Sequence, residues 1–567
     1  MNSPSPAPGI ARALAYAPPR RAVPCDLDLA GTDVGAPALD PVAAFGGAMP
    51  VGRYPNARPL EAQLAAMLGG AADRVLVTAG ADEALDRACR AVLAAGRSAV
   101  ITDPTFEMIP RYVAMTGAAC RTVEWPAGPL PVDALVASTD ATTALVVIVS
   151  PNNPTGAAAD FADIKRVHDA VPQSLIVLDL AYAEFAADDP TALALACPRM
   201  VVVRTLSKAW GLAGLRVGYA AGAPDVIGWM RRAGGPFAVA STSLALAEAA
   251  LRDDGARRDA VVRSTLDARA RVSALLGELG VRPLPSEANF VTVAGPRARW
   301  VADALAGQGI ATRFFDTEPN RVRITMPVNA PVRERLERAL RQALAPDAIL
   351  FDLDGVLADV SGSFRVAIIE TAKTFGVNVT PEDVRARKAQ GRANDDWSVT
   401  AELIAARGVT ASLADVTSAF QRIYEGASGM PGLRDTERLT VPRAWLEALA
   451  ARYPLAIVTG RPRRDATWFL ERVGIADLFR AVITRDDAPL KPDPAPVAAA
   501  CRALGAERAW MIGDTPDDVV AARGAGVLPI GMVPPGDADG AATAASLERA
   551  GAGRVLATLT ELDECLS

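Results

Sequence analysis

The chain has 567 residues, of which half are hydrophobic and 22% are charged, and its formal net charge is -6. A chain of this length is too long for one hydrophobic core, and about 150 residues per domain predicts roughly four domains. The slightly acidic balance provides no basic surplus for binding nucleic acids or anionic membranes, so neither partner is predicted.

The N-terminal segment "MNSPSPAPGIARALAYAPPRR" lacks a basic stretch ahead of an apolar core, and no apolar run reaches the ~18 residues of a membrane span. We expect residues 1–24 to form a Pro-rich arm. The six cysteines include no Cys-x-x-Cys pair, which favours a reducing cytoplasm over disulfides or a zinc site. They are Cys25, Cys89, Cys120, Cys197, Cys501 and Cys565.

Histidine and lysine are rare in this chain, and this restricts the catalytic chemistry that it can perform. The one histidine, His168, lies in the helical stretch "FADIKRVHDA" and is predicted to be a solvated helix residue, which removes Ser-His, Cys-His and His-metal chemistry. Arginine dominates among the cations, so a lysine is indispensable only where an amine must react or a compact charge is needed. The lysines are Lys165, Lys208, Lys373, Lys388 and Lys491.

Between about 74 and 220, short β-branched runs alternate with helical stretches. This alternation predicts an α/β domain with a parallel sheet, whose ligands bind at the carboxyl ends of the strands. The runs are "RVLVT", "SAVIT", "ALVVIVS", "SLIVLDL" and "MVVVRT". Functional residues are therefore expected directly after these runs.

Polar residues do follow these apolar runs. After "RVLVT" comes "AGADEALDRA", a glycine turn opening a helix, which is either an anion site or a common helix start. After "LVVIVS" comes "PNNPTG", which could equally be a plain turn. Asp179 and Tyr182 follow the fourth run, and the fifth is followed within a dozen residues by Lys208 and Arg216.

A pyridoxal phosphate enzyme needs a lysine for a Schiff base, a carboxylate for the pyridine nitrogen, and hydroxyls, amides and an arginine for the phosphate. Each is available here in a separate loop. The ordered set resembles the fold type I aminotransferases, and within them the histidinol-phosphate aminotransferase group, over most of residues 25–345. Its members are "RYPN", "GADEALD", "DPTFEM", "PNNPTG", "DLAYAEFA", "RTLSKAWGLAGLRVGY", "SEANFVTV" and "NRVRITMP".

The resemblance implies roles at the cofactor ring. Lys208 would be the Schiff-base lysine and catalytic acid/base, and Asp179 would pair with the pyridine nitrogen. Asn153 and Tyr182 would hydrogen-bond the ring oxygen, and Phe106 would stack on the ring.

The resemblance also implies contacts to the phosphate and substrate. The phosphate would be held by Ala81, Asp82, Thr205 or Ser207, and Arg216, with Tyr54 reaching it from the partner subunit of a homodimer. Arg323 would grip a substrate carboxylate or phosphate, although a surface strand arginine is the alternative. Asn289 matches the family's Asn-Phe strand.

The departures from the family lie mainly on the substrate side. The segment "LAGTDVGAP", residues 29–37, replaces the usual Asn-Glu-Asn-Pro stretch, and Asp179-Leu180-Ala181-Tyr182 replaces Asp-Glu-Ala-Tyr. We predict glutamate and 2-oxoglutarate as the amino-group partners. Threonine-phosphate decarboxylase relatives share much of the pattern and stay open.

An amphipathic helix ends the first predicted enzyme, and a new strand follows it directly. "VRERLERALRQAL" places Val332, Leu336, Leu340 and Leu344 at every fourth position, and the strand "AILFDLDG" follows. Positions i and i+2 of a strand face one side, so Asp352 and Asp354 project together. Two such carboxylates can divide nucleophilic and acid/base work, although a calcium turn or plain loop is the alternative.

Later motifs complete a set that resembles the haloacid dehalogenase-like (HAD) phosphatases across 348–535. They are Thr459 in "LAIVTG", Lys491 in "APLKPDP", and Asp514 and Asp518 in "GDTPDD". The resemblance implies that Asp352 is the nucleophile and Asp354 the general acid/base, with Thr459 and Lys491 on the phosphoryl oxygens. It places Mg²⁺ among Asp352, Asp354, Asp514 and Asp518 and the backbone near Leu353, which suits a reaction that depends on charge neutralisation.

A polar, helix-patterned insert of roughly 100 residues separates Asp354 from Thr459. By the same resemblance it is a helical cap over a small phosphomonoester. The candidates for substrate contact, which could equally be a helix N-cap and a core tryptophan, are Arg392, Asn394, Asp395 and Trp397.

The predicted fold class is α/β: a fold type I large domain with a mainly parallel sheet and a small α/β domain, followed by a Rossmann-like HAD core with a helical cap. We predict the aminotransferase over 25–345, with its large domain at about 45–235 and its small domain formed by the N-terminal part and about 236–345. The phosphatase is predicted over 346–567, with the cap at about 360–440.

These parts predict a bifunctional cytoplasmic enzyme that aminates a phosphorylated ketone and then removes the phosphate, with histidinol phosphate fitting both halves. Tethering would raise the local concentration of the intermediate. The large cap resembles the phosphoglycolate-phosphatase branch more than dedicated histidinol phosphatases. The alternatives are an unrelated pair, such as a decarboxylase with a broad-specificity phosphatase, and one half with only a regulatory or structural role.

Overall fold

The computed structural model describes residues 8–12, 22–33, 52–252, 255–388, 395–427 and 430–566. Most of the predicted N-terminal arm, residues 34–37 and the cap candidates Arg392 and Asn394 lie outside the described residues. The chain divides into two compact units. Unit 1 consists of Met1–Pro18, Leu29–Gly295 and Arg313–Arg335, and unit 2 consists of Pro19–Asp28, Pro296–Thr312 and Leu336–Ser567.

Unit 1 is built on a seven-stranded sheet. Its strands are β1 (Val75–Thr78), β2 (Ser98–Asp103), β3 (Ala119–Glu124), β4 (Thr143–Val149), β5 (Leu175–Asp179), β6 (Met200–Thr205) and β7 (Gly218–Gly222). Their order across the sheet is β1-β7-β6-β5-β4-β2-β3. Only β7 runs antiparallel to its neighbours. The predicted, mainly parallel sheet is confirmed.

Both faces of this sheet are covered. Along β4, Leu145 and Val147 belong to one buried cluster, and Val146 and Ile148 belong to another. Alternate side chains of a strand point to opposite faces, so a continuous apolar run fits a strand buried on both sides. The helices of unit 1 are Pro8–Arg12, Arg58–Met67, Gly80–Val92, Met108–Met115, Val132–Ala137, Phe161–Ala170, Thr191–Leu195, Pro224–Arg232, Ser241–Leu251 and Ala256–Glu278.

His168 lies in the predicted helix, Phe161–Ala170, but the prediction that it is solvated was wrong. It is 7% exposed, because it shares the buried face of the helix with Ile164 and Val167 at helical spacing. Its Nδ1 lies 3.0 Å from the Asp169 carboxylate. The histidine is therefore a residue of the helix packing face.

A four-stranded antiparallel sheet completes the architecture of unit 1. Its strands are β8 (Pro283–Leu284), β9 (Phe290–Ala294), β10 (Arg313–Phe315) and β11 (Arg321–Thr325), in the order β10-β11-β9-β8. Arg323 lies at the middle of β11, opposite Thr292. All five residues of β11 are buried, so this arginine is not on the surface.

Unit 2 contains a six-stranded parallel sheet. Its strands are β12 (Ala348–Phe351), β13 (Leu455–Val458), β14 (Ala481–Ile483), β15 (Ala509–Gly513), β16 (Leu528–Met532) and β17 (Arg554–Leu556). Their order is β14-β13-β12-β15-β16-β17, and every neighbouring pair is parallel. Residue 352 therefore leaves the centre of the sheet, with the ends of β13 and β15 on either side.

The predicted helical insert is present between β12 and β13. Its helices are Phe364–Thr374, Pro381–Lys388, Asp396–Ala405 and Leu413–Glu425. They share a core that includes Ile368, Val399 and Phe420. Ala358–Asp359 pairs with Arg438–Leu439, so the two chain segments that connect the insert are joined as antiparallel strands.

Two stretches upstream of β12 belong to the core of unit 2. The rings of Trp300 and Trp510 lie 4.8 Å apart, and their Nε1 atoms donate to the carbonyls of Ala343 (2.9 Å) and Gln342 (2.6 Å). Gln342 Nε2 donates to the carbonyl of Ala509 at 3.1 Å. The end of the predicted amphipathic helix, Ala330–Leu344, is thereby fixed against β15.

The other helices of unit 2 are Arg297–Gly307, Arg443–Ala450, Arg463–Arg472, Ala495–Leu504, Pro516–Gly524, Gly540–Ala550 and Leu562–Leu566. Two more short pairs occur, Leu27–Asp28 with Ile310–Ala311 and Gly426–Ala427 with Met430–Pro431. Across the described residues, no helix has the length and hydropathy needed to cross a membrane.

Truncating Trp300 to alanine should destabilise unit 2. Trp300 is 2% exposed and shares a core with Phe351 and Trp510, so its loss leaves a cavity worth about 3–5 kcal/mol. Hydrogen exchange of β12 and β15 amides measures the change. Trp229→Ala, at a tryptophan that is 41% exposed, is the matched control. Equal protection of these strands in both variants would contradict the shared core.

Candidate active sites

Lys208 follows β6 in the loop where sequence reasoning placed it. Its Nζ contacts Thr32 Oγ1 and lies 5.7 Å from the centre of the Tyr182 ring. Burial, helped by the positive charge of Arg323, lowers the pKa of Lys208 to about 8. The amine is therefore far more readily deprotonated than an ordinary lysine, as a nucleophile requires.

Asp179 is the last residue of β5 and is 3% exposed. Its Oδ1 accepts a hydrogen bond from the amide of Ala181 at 3.0 Å. Burial raises the pKa of Asp179 to about 7, although the Ala181 amide opposes the shift. A cationic ligand group beside this carboxylate would restore its charge.

The start of helix Gly80–Val92 faces the loop that follows β6. Gly80 has φ +78°, and a Cβ there would lie 2.6 Å from Arg216 Nη2, so any other residue would be strained and would displace this guanidinium. Arg216 Nη2 donates to Asp82 Oδ2 at 2.9 Å. A helix N-terminus beside an arginine is suited to an anion.

Two hydroxyls lie next to this arginine. Thr205 Oγ1 donates to Ser207 Oγ at 2.9 Å, and Arg216 Nη1 donates to Ser207 Oγ at 3.4 Å. Arg216 itself has φ +52°, a conformation that is costly for a residue with a side chain. The structure thus brings together the predicted phosphate-binding residues of the two loops, Ala81 being the second residue of the helix.

Arg323 is 7% exposed, so the alternative of a surface arginine is wrong. Its Nη1 donates to Asn153 Oδ1 at 2.5 Å, and its Nη2 donates to the carbonyl of Ala30 at 2.7 Å. The guanidinium lies over the rings of Phe290 (5.3 Å) and Phe315 (5.8 Å). Such a planar, desolvated cation suits a carboxylate or a phosphate.

Sequence reasoning missed Thr32. Its Oγ1 accepts from Tyr182 Oη at 3.3 Å as well as from Lys208, and its carbonyl accepts from Asn289 Nδ2 at 3.0 Å. Residues 29–37 depart from the family pattern, which is the one sequence signal that points to this segment. Nothing in the local sequence indicates which of its residues would lie against a lysine 176 positions later.

Tyr54 and Phe106 are placed differently from the others. Tyr54 is 81% exposed and stacks on the ring of Phe237 at 4.7 Å. Phe106 is half-buried in the loop before helix Met108–Met115 and packs against the core on one face of the large sheet. The exposure of Tyr54 fits a residue that contacts something other than its own unit.

Unit 2 has a second buried charge cluster at the carboxyl end of β12. Lys491 Nζ donates to Asp352 Oδ1 at 2.8 Å and to the carbonyl of Val458 at 3.0 Å, and it forms an ion pair with Asp518. Burial raises the pKa of Asp352. For Lys491, burial opposes the charge, but Asp352 and Asp518 outweigh it and raise the pKa of the ammonium.

Asp352, Asp514 and Asp518 each bring a carboxylate oxygen to within 4.8 Å of the others. Two glycines permit this: a Cβ on Gly355 would lie 2.2 Å from Asp514 Oδ2, and one on Gly513 would lie 2.2 Å from Asp518 Cβ. Thr515 caps the helix that carries Asp518 and donates to its Oδ2 at 2.6 Å. Clustered oxygen donors of this kind suit a hard divalent cation.

Thr459 follows β13 and is 4% exposed. Its Oγ1 accepts from the amide of Arg461 at 3.1 Å. Arg461, which sequence reasoning also missed, donates from Nε to Asp354 Oδ1 at 2.9 Å. In an arginine-rich chain, one more arginine after "VTG" carries no signal of burial.

A small cavity of about 80 Å³ lies between these residues and the helical insert. It is lined by Asp352, Asp354 and Arg461 and, from the insert, by Phe364, Arg365, Asp396 and Trp397. Of the predicted cap candidates, Trp397 thus reaches the cavity, whereas Asp395 accepts from Arg485 at 3.3 Å.

The family description "Aminotransferase class I and II" matches residues 33–341, and "haloacid dehalogenase-like hydrolase" matches residues 346–526. The chain belongs to the class I and II aminotransferase family. Its C-terminal part is a HAD-like hydrolase domain, and the predicted fusion of the two is confirmed.

Three relatives illustrate the likeness. A histidinol-phosphate aminotransferase of Erythrobacter litoralis is 37% identical over 51% of this chain and 82% of that protein. The solved structure of histidinol-phosphate aminotransferase from Sinorhizobium meliloti, in complex with pyridoxal-5'-phosphate, is 27% identical with a TM-score of 0.52, over 56% of this chain and 90% of that one. An imidazoleglycerol-phosphate dehydratase of Phytophthora nicotianae is 44% identical over 33% of this chain, which spans less than half, 43%, of that protein.

The raised pKa of Asp179 predicts a pH-dependent stability difference. The folded state holds this proton up to about pH 7, whereas an unfolded aspartate loses it near 4, so Asp179 costs a few kcal/mol as pH rises from about 4 to 7. In urea unfolding of the ligand-free proteins, the free energy of unfolding of Asp179→Asn should increase relative to that of the wild type as pH rises over that range. The control is Asp188→Asn, at an exposed position. A difference in unfolding free energy between Asp179→Asn and the wild type that does not change with pH would contradict the raised pKa of Asp179.

Proposed function

We propose that the protein is a bifunctional enzyme. Unit 1 carries out pyridoxal phosphate-dependent transamination with glutamate and 2-oxoglutarate as partners, and unit 2 hydrolyses a phosphomonoester with Mg²⁺ through an aspartyl phosphate on Asp352. The two reactions act consecutively on histidinol phosphate. This proposal rests on the observation that one chain holds both Lys208, a half-buried lysine of lowered pKa, and the buried Asp352-Lys491-Asp518 cluster.

The residues of unit 1 fit pyridoxal phosphate. Asp179 is a buried carboxylate, and a protonated pyridine nitrogen would supply the cation that restores its charge. The amide oxygen of Asn289, Oδ1, is buried without a hydrogen-bond partner in the part of the chain that is described, and it lies in the same cluster. The helix beginning at Gly80, with Arg216, suits the phosphate.

When bound, pyridoxal phosphate withdraws electrons from the carbon that carries the amino group. Lys208 would first bind the cofactor through its amine and then move a proton at that carbon, which a pKa near 8 permits at neutral pH. Asn153 and Tyr182 would hold the ring oxygen and Phe106 the ring face. The phosphate would be held by Ala81, Asp82, Thr205 or Ser207, Arg216, and Tyr54 of a second copy in a homodimer.

Arg323 would bind the anionic group of the substrate. Among the described residues, the guanidinium donates to the neutral oxygens of Asn153 and Ala30 and lies over the rings of Phe290 and Phe315. Exchanging a neutral acceptor for a carboxylate or phosphate strengthens each hydrogen bond in this desolvated place. Thr32 stands between Lys208 and Tyr182, so the substrate must displace or share this hydroxyl.

The aminotransferase assignment predicts glutamate production. Purified protein given pyridoxal phosphate, histidinol phosphate and 2-oxoglutarate should form glutamate, and Lys208→Ala should lower the rate by about 1000-fold or more, since both binding and proton transfer are lost. Lys165→Ala, at an exposed lysine, is the matched control. No glutamate from the intact enzyme would reject histidinol phosphate as amino donor. Carbon dioxide release from threonine phosphate, offered in a separate assay, would indicate the decarboxylase alternative.

The residues of unit 2 fit Mg²⁺. Lys491 pairs with Asp352 and Asp518, and Asp514 brings a third carboxylate oxygen to within 4.8 Å of theirs, which is the oxygen-donor set that a hard divalent cation prefers. Asp352, Asp514 and Asp518 would hold the ion, with Asp354 and the backbone near Leu353 close by. The ion would neutralise charge on the phosphoryl oxygens, together with Lys491 and Thr459.

The side chains of Asp352 and Asp354, together with water, account for every bond and proton change in the proposed hydrolysis. An oxygen of Asp352 attacks phosphorus and forms an acyl phosphate while the bond to the alcohol oxygen breaks, and Asp354 gives that oxygen a proton. Water then attacks phosphorus, Asp354 takes its proton, and phosphate leaves Asp352. The cavity of about 80 Å³ favours a small phosphomonoester.

The phosphatase assignment predicts phosphate release from histidinol phosphate. Asp352→Asn should abolish it while leaving glutamate formation intact, because the nucleophile belongs to unit 2. A chelator should abolish phosphate release and added Mg²⁺ should restore it. Phosphate release that survives in Asp352→Asn would show that the nucleophile is wrong.

Use of the same compound in both assays would support consecutive steps. If glutamate forms but only unrelated phosphomonoesters are hydrolysed, the chain is an unrelated pair of enzymes. If one activity is missing on every substrate offered, that half has a regulatory or structural role.

A further inference from the structure

The buried Arg461 holds one oxygen of Asp354. Its Nε and Nη2 both donate to Oδ1, at 2.9 and 2.5 Å. The hydrogen bonds that Asp354 accepts within the described residues all reach this oxygen, and Asp354 lines the cavity beside Asp352. Arg461 is 2% exposed, so its charge acts on Asp354 with little screening.

The opposite edge of the same guanidinium is anchored as well. Nη1 donates to Glu437 Oε2 at 3.0 Å and to Tyr424 Oη at 3.1 Å. Its planar face lies over the rings of Phe364 (4.8 Å) and Phe469 (5.4 Å). A guanidinium held on both edges and on its faces cannot turn away from Asp354 without breaking buried contacts.

We infer that Arg461 is the positioning residue that fixes the orientation of the Asp354 carboxylate and leaves Oδ2 for the leaving-group oxygen. Two N–H groups of one rigid guanidinium donate to Oδ1, so the carboxylate cannot turn without breaking buried hydrogen bonds. In the proposed reaction a proton passes from Asp354 Oδ2 to the alcohol oxygen as its bond to phosphorus breaks, and Asp354 takes a proton back from the attacking water. This inference rests on the proposed phosphatase function.

The anchors of Arg461 come from the insert and its connections. Tyr424 belongs to helix Leu413–Glu425, and Glu437 directly precedes the strand Arg438–Leu439. Ser363, at the start of the insert, donates from Oγ to Glu437 Oε1 at 2.8 Å. The acid/base residue is thereby held in place by the insert as well as by the sheet.

The test compares two esters whose leaving groups differ in their need for a proton. p-Nitrophenyl phosphate has a good leaving group, whereas glycerol phosphate must have its alcohol oxygen protonated. Arg461→Ala should lower kcat for glycerol phosphate by about 100-fold or more, the usual scale of general acid catalysis, and should lower it much less for p-nitrophenyl phosphate. Arg461→Lys should restore part of the difference. Arg464→Ala, at an arginine that is 67% exposed, should change neither rate.

Removing Arg461 alone leaves the Glu437 carboxylate buried without its cation, which can prevent folding. The double variant Arg461→Met, Glu437→Gln removes both charges and should keep the wild-type thermal unfolding temperature within a few degrees while showing the same leaving-group dependence. If these variants lose activity equally toward p-nitrophenyl phosphate and glycerol phosphate, the positioning role of Arg461 is overturned while the proposed phosphatase function stands. Failure of the wild-type protein to release phosphate from any ester would overturn the proposed phosphatase function and this inference with it.

Discussion

Each candidate site depends on one lysine whose surroundings decide its protonation. Lys208 lies near Arg323, and burial lowers the pKa of its amine to about 8. Lys491 is held between the carboxylates of Asp352 and Asp518, which raise the pKa of its ammonium although burial opposes the charge. The same side chain is thus prepared as a nucleophile in one unit and as a permanent charge in the other.

The remaining site residues lie around these lysines because parallel strands end at a common edge. In unit 1, β5 ends at Asp179 and β6 leads to Lys208. In unit 2, β12 leads to Asp352, and β13 and β15 lie on either side of it. Close approach favours glycine at Gly80 and Gly355, where positive φ strains any other residue and a Cβ would displace the facing side chain.

Residues from both sides of the joint near residue 346 form the core of unit 2. Trp300 precedes the joint and packs against Trp510, which follows it. Gln342 gives its side-chain amide to the carbonyls of Ala509 and Gly526 at the carboxyl-terminal side. The joint in the sequence is therefore crossed by buried apolar contacts and buried hydrogen bonds, whose loss would be costly.

By itself the sequence determined the α/β class and the strands that carry the motifs, and it grouped Lys208 with Asp179 because motif residues placed after neighbouring parallel strands meet at one edge of the sheet. The grouping of Asp352 with Lys491 came from the resemblance to the HAD phosphatases. The sequence did not predict the burial of His168, or the parts played by Thr32 and Arg461. Thr32 reaches Lys208 from 176 positions away, and Arg461 reaches Asp354 across 107. Only the tertiary structure decided these contacts, because burial and long-range hydrogen bonding depend on how the elements pack and leave no local periodicity in the chain.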